Sequence, residues 1–185
     1  SKTGKCFLGD SNKNGEKIEI DLLELAKIRK KISTAKKHAV VAKMNNSEKA
    51  IHFSNMKTLD KIASEGPLTP DHVIRTKRLP LVIGGNIEES LNEYTSQYDV
   101  YFEENKKENH VCLNHAPNWA ISNGFGSISF GKSIKEAQII EDITDHTMTA
   151  ILKGELLGGY KALSAKEIFD VEYWELEQAK LKKSN

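Results

Sequence analysis

Cysteine is scarce: Cys6 and Cys112 are the only two among 185 residues, far apart and without metal-type spacing. That excludes a disulfide framework and a cysteine-based zinc module, and it fits a reduced, cytoplasmic protein with incidental thiols. An excess of either charge is missing too. Lys and Arg total 27 against 26 Asp and Glu, a net charge of +1. This balance gives no electrostatic case for nucleic acid or an anionic membrane as a partner. No apolar run approaches the roughly 18 residues that a membrane span needs. The opening SKTGKCFLGDSNKNGEK has no apolar signal-peptide core. Arginine is the last shortage, with Arg29, Arg75 and Arg78 three of the 27 basic residues. Where Lys is the default cation, an Arg marks a place where the planar, bidentate fork matters. Two of the three fall in HVIRTKRLP.

What the chain does contain begins with a pattern of two meanings. Gly126 to Ser133 spells G-x-x-x-x-G-K-S, the loop that cradles nucleotide phosphates on backbone N–H groups while a Lys reaches the terminal ones. A phosphate loop must curl, which favours small residues between its glycines. Here they are Ser127-Ile-Ser-Phe130, alternating polar and apolar, which is the signature of a half-buried strand. The strand is the preferred reading. Nucleotide binding through Gly126, Gly131, Lys132 and Ser133 stands as the alternative.

The remaining periodicities predict an α/β protein, a small mixed β-sheet layered with helices and ending in long C-terminal helices. Residues 1–18 read as a polar lead-in, 19–160 as the α/β domain and 161–185 as a C-terminal helical arm. Asp21 caps a helix over LLELAKIRKKI. His38–Met44 and Ala50–Phe53 read as two strands of a hairpin turning at Asn45–Glu48. Met56–Ser64 reads as a short helix. Thr69 and Pro70 open a two-turn helix through Thr76. Leu79–Ile83 is a strand stopped by Gly84-Gly85, and Asn86 caps a helix reaching about Asn105. Val111–Leu113 and Trp119–Ser122 are further strands. Ile134 to about Leu157 forms the longest helix, and Ser164 caps a last one from Ala165 towards Lys183.

Six histidines, at 38, 52, 72, 110, 115 and 146, show neither the i, i+4 nor the H-x-H spacing of a zinc site. His110 and His115 flank Cys112, and Asp142 and His146 share a helical face. Loop positions and a solvated pair are the simpler readings, so no metal site is expected in this chain. The denser cluster is Thr69, Asp71, His72, Arg75, Lys77 and Arg78, with His72 and Arg75 at i, i+3 on one helical face. It is either an anion contact for a sugar phosphate, cofactor or neighbouring subunit, or structural, with Asp71 closing the cap and Arg75 making an ion pair that fixes the following strand.

Three segments in order, GPLTPDHVIRTKRLPL, GFGSISFGKSIKEAQIIED and IFDVEYWELEQAKL, resemble bifunctional proteins that join a class II aldolase domain to a short-chain dehydrogenase domain, of the rhamnulose-1-phosphate aldolase/alcohol dehydrogenase type. The resemblance covers about residues 20–183, and TPDHVIRTK and FDVEYW are its specific strings. It accounts for the G-K-S pattern, because members carry it without being NTPases. One departure is Asn123, where the family has Pro. The resemblance implies an aldolase (lyase) linked to an NAD-dependent dehydrogenase in carbohydrate metabolism. It also implies that the zinc histidines lie upstream, and the GxGxxG and Tyr-x-x-x-Lys residues downstream, of a segment such as this. The chain is therefore expected to have no catalytic residues, to bind neither zinc nor NAD itself, and to serve as an anion-binding or assembly domain. A separate aldolase half or dehydrogenase module is an implied partner. The last helix places Ile168, Phe169, Val171, Trp174, Leu176 and Leu181 over more than one face, which predicts a homo-oligomer, most simply a two-fold dimer.

Overall fold

A computed structural model describes residues 22–183, with side chains described as far as residue 180. Within that span the chain runs α1 (Leu22–Lys36), β1 (Val41–Asn45), α2 (Glu48–Ser54), α3 (Leu59–Ala63) and a 3-10 turn (Pro70–His72). It continues through α4 (Val73–Thr76), β2 (Leu81–Ile83), α5 (Ile87–Asn105), β3 (Trp119–Ser122) and β4 (Gly126–Gly131). It ends with α6 (Ile134–Leu156), α7 (Ala165–Glu172) and α8 (Glu175–Lys183). The expected cap at Asp21 lies outside the described residues. The four strands form one mixed sheet in the order β1-β4-β3-β2, with β2 parallel to β3 and the other pairs antiparallel. The α/β expectation of a small mixed sheet under helices holds.

Strand alternation divides the core into two layers. Leu81, Ile83, Ala120, Ile128 and Phe130 face α1 and α5, where Ile28, Ile32, Leu91 and Tyr94 complete one cluster. Trp119 and Ile121 face the other way, onto Phe53 of α2, Ile62 of α3 and Ile140, Met148 and Ile151 of α6. A third cluster, Tyr98, Tyr101, Phe102 and Phe169, joins the far half of α5 to α7.

The G-x-x-x-x-G-K-S segment is the central strand β4, so its backbone groups serve the β1 and β3 ladders. They do not converge on an anion, and the strand reading of residues 127–130 holds. Both pattern glycines have packing reasons. Gly126 has φ +91°, and a Cβ there would lie 2.2 Å from the Asn45 carbonyl oxygen. At Gly131 a Cβ would lie 2.3 Å from the Ala137 nitrogen, because α6 crosses the sheet against bare backbone. Lys132 is exposed, and its N–H donates to Glu136 Oε2 at 2.5 Å. The Ser133 hydroxyl caps α6 by accepting from the Glu136 N–H.

Several boundaries differ from the sequence reading. Ala50–Phe53 belongs to helix α2, not to a hairpin. Ser47 caps it, accepting from the Ala50 N–H, and Ala50 and Phe53 bury at helical i, i+3 spacing, while the partner of β1 is the distant β4. Among the described residues, Thr69 makes no side-chain capping bond and Val111–Leu113 pairs with no strand. The last helix breaks in two at Tyr173-Trp174, although Ser164 caps its start with the full reciprocal box to Glu167. Asn86 caps α5 as expected, accepting from the Glu88 and Glu89 N–H groups.

These contacts predict opposite outcomes for two neighbouring substitutions. Gly131→Ala should destabilise by about 1–3 kcal/mol or more, because the new methyl meets backbone rather than a movable side chain. Lys132→Ala should stay within about 0.5 kcal/mol of the parent. Urea unfolding of both variants checks this, and a tolerated alanine at 131 would refute the packing account.

Candidate functional site

The cationic segment after Thr69 does not converge on one outward-facing pocket. Thr69 and Asp71 are exposed, His72 and Arg75 are partly buried, and Lys77 is turned inward and buried. Lys77 ends α4 with φ +66° and ψ 169°, a positive-φ conformation that costs a non-glycine residue about 1–3 kcal/mol. That turn directs its amine under the C-terminal helices. Arg78 follows with its guanidinium 4.9 Å from the centre of the Tyr101 ring. The backbone of the segment is held from behind. Asn118 Nδ2 donates to the Arg75 carbonyl at 2.7 Å, and the Lys36 amine donates to Asn118 Oδ1. Burial, with the Lys77 charge second, pushes the Lys36 amine down to about 8.

Lys77 meets a polar network in the third apolar cluster. Its Nζ lies 3.3 Å from Glu172 Oε1 and donates to the Tyr98 hydroxyl at 2.9 Å. The same hydroxyl donates to Glu172 Oε1 at 2.9 Å and lies 2.9 Å from the Tyr173 hydroxyl. Tyr173 in turn accepts the Leu113 N–H at 3.2 Å. Lys77 and Glu172 side chains are 9% and 1% exposed, so this is a buried ion pair. Burial lowers the Lys77 pKa and the Glu172 charge opposes that shift. Burial also raises the Tyr98 hydroxyl, reinforced by Glu172. Among the described residues, Glu172 Oε2 is buried with no hydrogen-bond partner. Aromatic rings close the site: Phe169 and Tyr173 stack at 4.2 Å, and His110 lies 5.5 Å from each.

Such an arrangement fastens elements together. One charged hub connects α4, α5, α7 and the loop after α5, and its satisfied members are buried where an unpaired charge would be costly. The sequence reading counted Lys77 among anion contacts and did not single out Glu172. The available signal for Glu172 was its place on the Ile168–Phe169–Glu172–Tyr173 stripe, where a solvated residue does not belong.

Outside the network, the two histidines that flank Cys112 in sequence part company. His110 joins the aromatic stack, while His115 and Cys112 come together with Asp99 of α5. Nothing local marked Asp99, which is brought there only by the return of the loop.

The ion pair yields a coupling prediction. Glu172→Leu alone should cost about 3–5 kcal/mol by stranding the Lys77 charge. Adding Lys77→Met should recover much of the loss, with a coupling of about 2–3 kcal/mol in urea unfolding. Simple additivity would show that the two groups do not depend on each other.

Comparison with known proteins agrees with this framework. One curated relative, named uncharacterized oxidoreductase YuxG, from Bacillus subtilis (strain 168), is 26% identical over 166 residues. The alignment takes in 83% of this chain and 24% of that protein, so the chain spans about a quarter of the length of the curated relative it matches. The family described as aldolase class II, second domain, matches residues 19–181. That match takes in the sheet, the Lys77–Glu172 pair, α7 and most of α8, and the chain belongs to this family of class II aldolase second domains.

Proposed function

We propose that this chain is an assembly module of an aldolase- and dehydrogenase-type protein of carbohydrate metabolism, without a turnover site of its own. The observation that carries the proposal is an apolar surface held in a fixed place. Trp174 and Leu176 are 52% and 63% exposed at the junction and first turn of α8, directly after Glu172, the residue pinned to Lys77. A mobile tail with exposed aromatics carries little meaning. Two large apolar side chains fixed by a buried ion pair form a surface suited to a partner. The oxidoreductase name of a relative about four times as long supports a setting in which this domain works beside others.

In the chain by itself, the face is covered by a second copy, with the α8 helices meeting across a two-fold axis. Light scattering at micromolar concentration should give a dimer. Trp174→Ser with Leu176→Ser should give a monomer with an unchanged far-ultraviolet dichroism spectrum. Ketose phosphate with zinc, or an alcohol with NAD, should show no turnover. A monomeric parent would remove the dimer, and turnover of either substrate would overturn the non-catalytic reading.

A further inference from the structure

Beside the buried ion pair, and joined to its network through the Tyr173 hydroxyl, lies a side-chain cluster on the solvent side of α5. Asp99 comes from α5, and Cys112 and His115 come from the loop between α5 and β3. Asp99 Oδ1 is 2.5 Å from His115 Nδ1. On the opposite edge of the ring, His115 Nε2 is 3.6 Å from Cys112 Sγ. The order of these contacts sets the chemistry. A carboxylate against Nδ1 holds the ring proton there, so Nε2 carries the lone pair and directs it at the sulfur.

The distance matches a known geometry. A thiolate and an imidazole nitrogen bound to one tetrahedral zinc ion, at about 2.3 and about 2.0–2.1 Å, stand roughly 3.6 Å apart. Cys112 and His115 have that separation already. One ligand atom from each of the three residues lies within 4.8 Å of the others, and the Asp99 carboxylate, engaged with Nδ1, holds the ring rather than the cation. The Asp99 and His115 side chains are 52% and 44% exposed, which leaves an entry path and open coordination positions. On the protein side, the Tyr173 hydroxyl lies 4.0 Å from the sulfur.

We propose that Cys112 and His115, with Asp99 orienting the imidazole, form a site for a borderline-soft divalent cation of the zinc class. A competing use of the same residues is a nucleophilic thiol with His115 as its base. A cation displaces the thiol proton instead. The site ties the loop after α5 to that helix, two residues from where the Leu113 N–H meets Tyr173. Occupancy therefore reinforces the docking of α7.

Cobalt(II) added to the full chain is the direct probe, read by sulfur-to-cobalt charge transfer and tetrahedral d–d absorption. One equivalent should bind saturably and be displaced by zinc, and zinc should raise the melting temperature. Cys112→Ser should abolish the charge-transfer band, while Cys6→Ser should leave it intact. Asp99→Asn, a change at an exposed position that the fold tolerates, should weaken binding by about tenfold or more through its effect on the ring. Absence of saturable binding overturns the proposal. So does a charge-transfer band that survives Cys112→Ser, or an affinity that Asp99→Asn leaves unchanged.

Discussion

The docking of the C-terminal helices depends on one buried charge pair, Lys77 with Glu172. Both of its sides are costly in isolation. Lys77 adopts a positive-φ backbone conformation and loses its hydration, and Glu172 buries a carboxylate on an otherwise apolar helical stripe. Each is stable only in the presence of the other and of the Tyr98 hydroxyl between them. The pair closes a contact between residues 95 positions apart in the chain. It therefore ties the segment before β2 to the helices after α6. A buried pair need not be more stabilising than an apolar substitute. Its distinctive effect is on geometry, because an ion pair with a shared hydroxyl accepts few alternative registers of α7 against α4 and α5.

The body of the domain follows from a different constraint, the closeness of α6 to the sheet. Ser127 and Ser129 present small side chains on the β4 face opposite the Ile128 and Phe130 core, and Gly131 presents none. All three are buried. Small residues let the helix lie against backbone, and the helix then covers the middle of the sheet through Ile140, Met148 and Ile151. The same glycines that imitate a phosphate loop are therefore packing residues. With β4 paired on both edges, its amides are committed to the sheet.

Much of this architecture was readable before any coordinates. Long amphipathic helices with clear caps, such as those at Asn86 and Ser133, follow from local chemistry. So does the alternation that makes 126–131 a strand. Ala50–Phe53 misled because a run of four residues, three of them apolar, is too short to separate the two periods, and only the Ser47 cap and the burial of Ala50 with Phe53 decide for a helix. Glu172 and Asp99 were illegible for a further reason. Their roles depend on partners 95 and 16 residues away, and long-range pairing leaves little trace in local composition. The aromatic residues of FDVEYW were noticed, but the carboxylate among them carries the contact. The family match at residues 19–181 supports the resemblance at the level of the domain.

Amide hydrogen exchange on the parent and on Lys77→Met tests the central claim most directly. If the ion pair holds the C-terminal helices in place, α7, α8 and the loop near Leu113 should lose protection together in the variant. The amides of β1, β3, β4 and α6 should keep theirs. Unchanged protection in α7, or an equal loss across the sheet, would contradict the account.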